Sequence, residues 1–365
     1  MKAFRLTAPN TTELTDVPQP EPGPGEVLVR VGAAGVCHSD LHVIEAPEGF
    51  PLPLTLGHEN AGWVEALGAG VAGWREGEAV AVYGIVGCGS CVACLRGMDN
   101  ECRTVFPGGI GLSRDGGMAE YVKVPASHLL PIGDLDVAQA APLTDAGLTP
   151  YHAIQLFRDV LRPGAACVVI GVGGLGHMAV QILAETTSVR VIAVDVSDDA
   201  LNLAGRMGAH HTVKSDADAG RAIRELLGPP PGGADAVLDF VGVTETLALA
   251  ASVVSTGGRL ALVGLGGGTL SLRPGVGPIG VPMETQVVVP FWGTRAELAE
   301  VIALARAGRI RAQVEPFPLD RVAEAYDKLR ARALTGRAVV LPGRSRQSAS
   351  DGAARDASGR YRRER

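Results

Sequence analysis

Hydrophobic and polar positions change their rhythm along the chain. Up to about residue 145 the apolar residues come in short runs separated by glycine and proline: VLVRVGAAGV from Val27, AGWVEALGAGV from Ala61, EAVAVYG from Glu78 and MAEYVKV from Met118. Runs of this kind, bounded by turn residues, predict the short strands of a twisted, partly open β-barrel. From about 147 to 293 near-continuous apolar runs alternate with amphipathic ones. Strand-like CVVIG leads to helix-like GLGHMAVQILAE, then VRVIAVD, DDALNLAGRMG, DAVLDFVG, TETLALAASVV and GRLALVGLG. Strands built almost entirely of Val, Ile, Leu and Ala are buried on both faces, as in a parallel sheet covered by helices. The alternation predicts a doubly wound α/β domain, with ligands at the carboxyl ends of its strands.

After about 294 the pattern gives a helix RAELAEVIALARAG, a strand near Gln313–Phe317, a helix DRVAEAYDKLR and a strand GRAVVL, expected to return to the first domain. Residues 1–146 and 294–342 are thus read as one domain and 147–293 as a second. From 343 to 365 there is almost nothing to bury, which predicts a disordered tail.

A chain of 365 residues has room for two domains. Its net charge of −6 offers no electrostatic footprint for nucleic acid or an anionic membrane. No stretch approaches the roughly 18–20 uninterrupted apolar residues of a membrane span. The opening MKAFRLTAPN has no apolar run behind its basic residues, so no secretory signal is expected and the cytoplasm is the expected compartment. The 49 glycines sit between apolar runs, at turn positions, rather than in a low-complexity segment.

Chemistry enters with a glycine-rich turn. Strand CVVI runs into Gly171-Val-Gly173-Gly174-Leu-Gly176, which opens an amphipathic helix. Gly171 allows the tight turn, Gly173 lets backbone approach a pyrophosphate, and Gly176 permits close helix–strand contact, while the helix N-terminus offers free N–H groups. The next strand ends in Asp195, 19 residues past Gly176, where a carboxylate accepts adenosine ribose hydroxyls and repels a 2′-phosphate. This predicts NAD rather than NADP.

Four of the six cysteines follow the spacing Cys88-x2-Cys91-x2-Cys94-x7-Cys102. Four thiolates so spaced wrap one tetrahedral Zn²⁺ and leave no position for substrate, a closed structural site. The first three also overlap iron–sulfur spacing, but no Cys-Pro follows and no second set exists, so zinc is the reading adopted. A third constellation is Cys37-His38-Ser39-Asp40-Leu41-His42 with Gly57-His58-Glu59 downstream. Cys37 and His58 could supply a thiolate and an imidazole to a catalytic zinc, which needs about three protein ligands and one open position. Spacing does not name the third ligand. Taken alone, Cys37 is more often a buried small residue and His58 more often a satisfied core histidine.

Gly35-Val-Cys-His-Ser-Asp, Gly57-His-Glu, the four-cysteine lobe and Gly171–Gly176 occur in the order seen in zinc-dependent medium-chain alcohol dehydrogenases. From Met1 to about Pro342 the chain resembles that family, especially the bacterial, actinobacterial-type, NAD-dependent secondary-alcohol dehydrogenases. The resemblance implies a GroES-like catalytic domain beside a Rossmann domain, two Zn²⁺ per chain, NAD, an alcohol or carbonyl substrate, and a homotetramer or homodimer. It places the third zinc ligand in Ala141-Pro-Leu-Thr-Asp145; many relatives carry Cys there, and Asp145 keeps the ligand charge at two. It further implies that Ser39 accepts the alcohol proton, that His42 stands at the solvent end of the relay, and that Asp40 orients His58. Glu59 matches a transient zinc ligand. His38 and Arg337 match positions near the pyrophosphate, and Thr149 and Leu175 match nicotinamide contacts. Phe240, Val241 and Val263 match positions lining the cofactor cleft.

There are departures. Relatives often carry Lys or Arg where Ala200 stands, five residues after Asp195, and small residues where Asn60 stands; Asn60 is read as exposed. Trp292 either walls the substrate pocket or packs the hinge, and the pocket is preferred. His177 either approaches the cofactor or lies on the helix surface. His128, His152, His210, His211 and Cys167 receive ordinary structural readings. A polyol or amino-alcohol dehydrogenase is the nearest alternative activity. A non-catalytic dinucleotide binder is a distant one, because Cys37, His58, Asp145, Ser39 and His42 are all retained.

Overall fold

A computed structural model describes residues 1–46, 48–105, 108–228, 232–272 and 281–343. Of the expected tail, residues 344–365 lie outside the described residues.

The first part of the chain folds around a seven-stranded sheet. Its strands run Leu129–Pro131, Ala79–Val82, Glu59–Leu67, Glu26–Gly35, Arg337–Leu341 and Val314–Pro318, with Tyr121–Pro125 also pairing on Glu26–Gly35. In Glu26–Gly35 the residues Val27, Leu28, Val29, Val31, Ala33 and Ala34 are all buried. A strand this apolar, exposed only at Arg30, becomes the hub on which two antiparallel partners pair along its length. The strand Arg337–Leu341 is buried at every residue and pairs back on Ala34 and Gly35. The end of the described chain is thereby stitched beside its beginning.

The second unit is a six-stranded parallel sheet in the spatial order His211–Lys214, Arg190–Asp195, Ala166–Ile170, Ala234–Asp239, Val254–Leu262 and Gln286–Val288. Counted along the chain this is 3-2-1-4-5-6, the Rossmann order, whose reversal beside Ala166–Ile170 opens a crevice at the strand ends. The central strand Ala166–Ile170 is buried at every residue. The helix Gly176–Thr186 that follows it is buried from Gly176 to Leu183.

Between the two sheets lie the helix Val137–Pro142, a π-helical turn Leu143–Gly147 and the helix Leu148–Gln155, all largely buried. Through them a single apolar cluster runs from Ala33, Ala61 and Tyr83 to Leu143, Leu148 and Phe157, and on to Val169 and Val191. The junction is therefore continuous core, and side chains brought to it are held at fixed distances.

Candidate metal and dinucleotide sites

Val36 follows the strand Glu26–Gly35, and Cys37 then caps the helix His38–Glu45. His58 follows Gly57, whose φ of 99° suits glycine and turns the chain into the strand Glu59–Leu67. Asp145 sits in the π-helical turn, a local widening that often marks functional sites. These three elements bring Cys37, His58 and Asp145 together with their ligand atoms within 4.8 Å of one another, all buried. Asp145 Oδ2 is 3.6 Å from Cys37 Sγ and 3.5 Å from His58 Nε2. A tetrahedral Zn²⁺ with bonds of about 2.0–2.3 Å separates its S, N and O ligands by about 3.3–3.5 Å. The donor set and its spacing fit zinc.

The surroundings orient each donor. His58 Nδ1 faces Asp40 Oδ1 at 3.0 Å, which keeps the proton on Nδ1 and turns Nε2 toward Asp145. Asp40 is itself fixed by the Cys37 N–H, which donates to Oδ2 at 3.0 Å. Burial opposes protonation of His58, but the Asp40 carboxylate and then Asp145 outweigh it and raise its pKa well above the ordinary value. Burial likewise opposes ionisation of Asp145, yet the neighbouring His58 ring and the charge of Arg337 bring its carboxyl to about 2. The Thr149 hydroxyl donates to Asp145 Oδ1 at 2.7 Å, leaving Oδ2 for the cluster. Thr149, expected at the nicotinamide, is thus also a brace for Asp145, a link the sequence signals only by its i, i+4 spacing.

Glu59 and Arg337 form a buried pair. Arg337 Nη2 donates to Glu59 Oε1 at 2.6 Å and Nε to Oε2 at 2.9 Å. Arg337 also reaches Asp145 Oδ2 at 3.3 Å, and Glu59 Oε1 accepts the Ala146 N–H at 2.8 Å. Glu59, expected as a mobile metal ligand, has both oxygens occupied by these partners. Arg337 lies beneath the glycine loop: a Cβ on Gly174 would meet its Nη1 at 2.6 Å. His38 and His42 are exposed on their helix, and Ser39 is half-buried with its Oγ 3.7 Å from Cys37 Sγ.

Trp292 stands on the other side of His58, edge-on with ring centroids 5.5 Å apart. It is 5% exposed, and its Nε1 donates to Thr144 O at 2.8 Å. Asn60, read as exposed, is instead 1% exposed, with Nδ2 donating to Gly57 O at 3.0 Å. It lies behind the metal-site turn, where a Cβ on Gly117 would run into its Oδ1 at 1.8 Å. The strand is buried on both faces from Glu59 to Gly62, so Asn60 has no solvent side to turn to.

The four-cysteine lobe is equally explicit. Cys88, Cys91, Cys94 and Cys102 are free thiols whose sulfurs lie within 4.8 Å of one another. Cys88 Sγ is 4.0 Å from Cys94 Sγ, and Cys91 Sγ is 3.9 Å from Cys102 Sγ. Four thiolates at about 2.3 Å from Zn²⁺ stand about 3.8 Å apart, so the set suits one ion. The backbone N–H groups of Ser90 and Cys91 pull the Cys88 thiol down to about 5, preparing a thiolate.

In the parallel sheet, Gly171 has φ 85°, and a Cβ there would strike Val241 Cγ2 at 2.5 Å. A Cβ on Gly176 would sit 1.8 Å from Gly171 O, which is the close helix–strand approach expected. A Cβ on Gly173 meets no protein atom within 4 Å, so the backbone there faces open space, as pyrophosphate binding requires. Leu175 is half-buried at the helix start. Asp195 Oδ2 accepts the Val172 N–H at 2.7 Å, tying the acidic strand end to this loop. Phe240, Val241 and Val263, all half-buried, flank it at neighbouring strand ends. Buried Asp239 shapes that flank, its Oδ1 accepting the N–H groups of Val241 and Gly242 at 2.8 and 3.0 Å.

His177 meets neither reading offered for it. It is 0% exposed, its Nδ1 2.9 Å from Gly173 O and its Nε2 accepting the Gln313 N–H at 3.1 Å. It braces the loop from within, because the inward face of an N-terminal helix turn is core.

Family models match this chain in two segments: an alcohol dehydrogenase GroES-like domain over residues 23–134 and a zinc-binding dehydrogenase domain over 174–307. An NAD-dependent alcohol dehydrogenase of Sulfurisphaera tokodaii is 36% identical, covering 94% of this chain and all of its own. The chain belongs to the zinc-binding alcohol dehydrogenase family. Among solved structures, the alcohol dehydrogenase of the archaeon Aeropyrum pernix matches with a TM-score of 0.86 at 36% identity, over 94% of this chain and 100% of that one. Acetophenone reductase of Geotrichum candidum, solved in complex with NAD, matches with 0.81 at 34% identity, over 93% and 96%.

Proposed function

We propose that the chain oxidises an alcohol to a carbonyl, or the reverse, by hydride transfer with NAD at a zinc held by Cys37, His58 and Asp145. The observation that carries this is the buried Cys–His–Asp cluster at the junction of the two sheets, with the dinucleotide loop directly behind Arg337. Residues 1–146 and 294–342 form the catalytic part and 147–293 the cofactor part.

Zinc at this cluster supplies Lewis acidity, which lowers the pKa of an alcohol oxygen or polarises a carbonyl. NAD supplies the two-electron hydride acceptor, and the protein supplies orientation and a dry site. Asp40 holds the His58 tautomer. Thr149 and Arg337 hold Asp145 from two sides. Ser39, beside Cys37, accepts the alcohol proton, and exposed His42 passes it to solvent. His38 and the loop around Leu175 carry the cofactor, with Asp195 on its adenosine ribose and Phe240, Val241 and Val263 lining the cleft. Trp292 walls the substrate side. A second zinc in the Cys88–Cys102 lobe is structural.

Among the described residues no helix is long and apolar enough to cross a membrane. We place the protein in the cytoplasm, because thiols kept as metal ligands need a reducing compartment. We also read it as a homotetramer or homodimer: among the described residues the edge strand Gln286–Val288 has no outer neighbour and is followed by Val289, 70% exposed, an apolar edge that suits a second copy.

Cys37→Ser tests the reading. The variant is expected to lose turnover and one zinc while retaining NADH affinity. Full turnover in the variant would overturn it.

A further inference from the structure

Trp292 has a φ of 53°, a left-handed conformation that a bulky side chain rarely adopts. Such a residue persists only where its surroundings over-determine it. Its neighbours are indeed tied down. Tyr83 OH donates to Gly293 O at 2.7 Å, the Thr294 N–H donates to Glu297 at 2.8 Å, and the indole itself is bonded to Thr144 O. The ring tip occupies a glycine cradle, 2.3 Å from where a Cβ on Gly84 would stand.

The remaining tie comes from an unexpected place. Asn100 belongs to the single turn Asp99–Glu101 inside the four-cysteine lobe, two residues before Cys102. Its Nδ2 donates to Phe291 O at 3.1 Å and lies 3.5 Å from His152 Nε2. His152 Nδ1 in turn faces both Glu297 oxygens at 3.0 Å, so the proton sits on Nδ1 and Nε2 is an acceptor. Asn100 therefore presents two amide hydrogens to two acceptors, a geometry that neither Asp nor Ser can reproduce. Among the described residues its Oδ1 is buried without a partner, a cost the site carries while both donors point inward. Next to it, Asp99 Oδ2 pairs with Arg295 Nε at 3.2 Å, a second tie from the same turn to the same segment.

We propose that the four-cysteine lobe sets the position of the Trp292 indole beside His58 through Asn100, making Asn100 a positioning residue that governs which alcohols and carbonyls fit. The substrate part of this rests on the dehydrogenase reading above. The lobe is then part of the substrate wall's foundation as well as a stabilising loop.

The test uses the full-length, zinc-replete protein in a Trp63→Phe/Trp74→Phe background, where Trp292 is the only tryptophan. Asn100→Asp keeps the shape and removes the donors; Asn100→Ala removes both. Acrylamide quenching of Trp292 is measured without substrate, and KM and kcat are measured over secondary alcohols of increasing bulk. Quenching is expected to rise severalfold. The KM ratio of bulky to small alcohols is expected to change by about tenfold, the scale of a misplaced pocket wall, with kcat on 2-propanol within about twofold. Unchanged quenching and an unchanged KM ratio, even with a lowered melting temperature, would overturn the proposal. Should both Asn100 variants fail to fold, Arg295→Gln removes the outer tie at a more exposed position; increased quenching supports the proposal and unchanged quenching overturns it. Absence of alcohol turnover in the unaltered protein would sink the dehydrogenase reading alone, since quenching still decides the coupling.

Discussion

Replacing Arg337 by methionine removes the charge at the centre of the junction while keeping much of its bulk. Arg337 is 4% exposed and Glu59 0%, and the guanidinium reaches both Glu59 oxygens as well as Asp145. Without it, the buried Glu59 and Asp145 carboxylates lose the guanidinium that both of them share. Removing one partner of a buried ion pair costs about 3–5 kcal/mol, chiefly because the other charge is left desolvated. For a chain of this size about 2 °C per kcal/mol is a reasonable conversion, so the melting temperature is expected to fall by about 6–10 °C. Glu59→Gln should cost less, since its amide oxygen still accepts from Arg337. Combining the two changes removes both charges and is expected to recover about 2 kcal/mol relative to Arg337→Met alone, as directly bonded pairs couple. Thermal and urea unfolding of the four proteins, with zinc measured in each, gives the melting temperatures and the cycle. A double variant no more stable than Arg337→Met, or a fall below about 2 °C for the single change, would show that the pair does not carry the charge balance of the site.

Two further outcomes follow from the same geometry. Burial, partly offset by the Gly173 carbonyl, holds the His177 imidazole down to about 4. Its folded pKa is thus below the ordinary 6.5, so the neutral ring's contribution is complete above about pH 6.5 and is lost as pH falls toward 4, amounting to about 3 kcal/mol. His177→Gln is expected to flatten the urea midpoint against pH across that window, and an equal slope in both proteins would contradict it. Asp195→Gly removes the carboxylate from the end of its strand; KM for NAD is expected to rise about tenfold and NADP to become a usable substrate. Unchanged NAD kinetics without NADP turnover would count against the ribose assignment.

What was legible in the sequence was local. The glycine loop, the acidic strand end and the four cysteines are spacings within one or two elements, and burial periodicity placed the strands that carry them. What escaped depended on contacts between distant segments. Asn100 meets Phe291 across 191 residues and Arg337 meets Glu59 across 278. Neither pairing leaves a periodic trace, because each joins segments far apart in the chain that meet only in the folded protein. Asn60 and His177 were misjudged for a related reason. Polar residues on inward-facing positions look exposed until the backbone groups that satisfy them, Gly57 O and the Gln313 N–H, are in place. Asp145 was found through family resemblance alone, and only the π-helical turn explains how a residue 87 positions beyond His58 reaches its ring.

Metal content by elemental analysis, taken on the same preparation as NADH absorbance over a panel of secondary alcohols and aryl ketones, bears on the whole reading at once. About two zinc ions per chain with NAD-dependent turnover is the expected result, one ion for each cluster. About one zinc and no turnover would leave the Cys88–Cys102 lobe standing and contradict the assignment of Cys37, His58 and Asp145 as a catalytic centre.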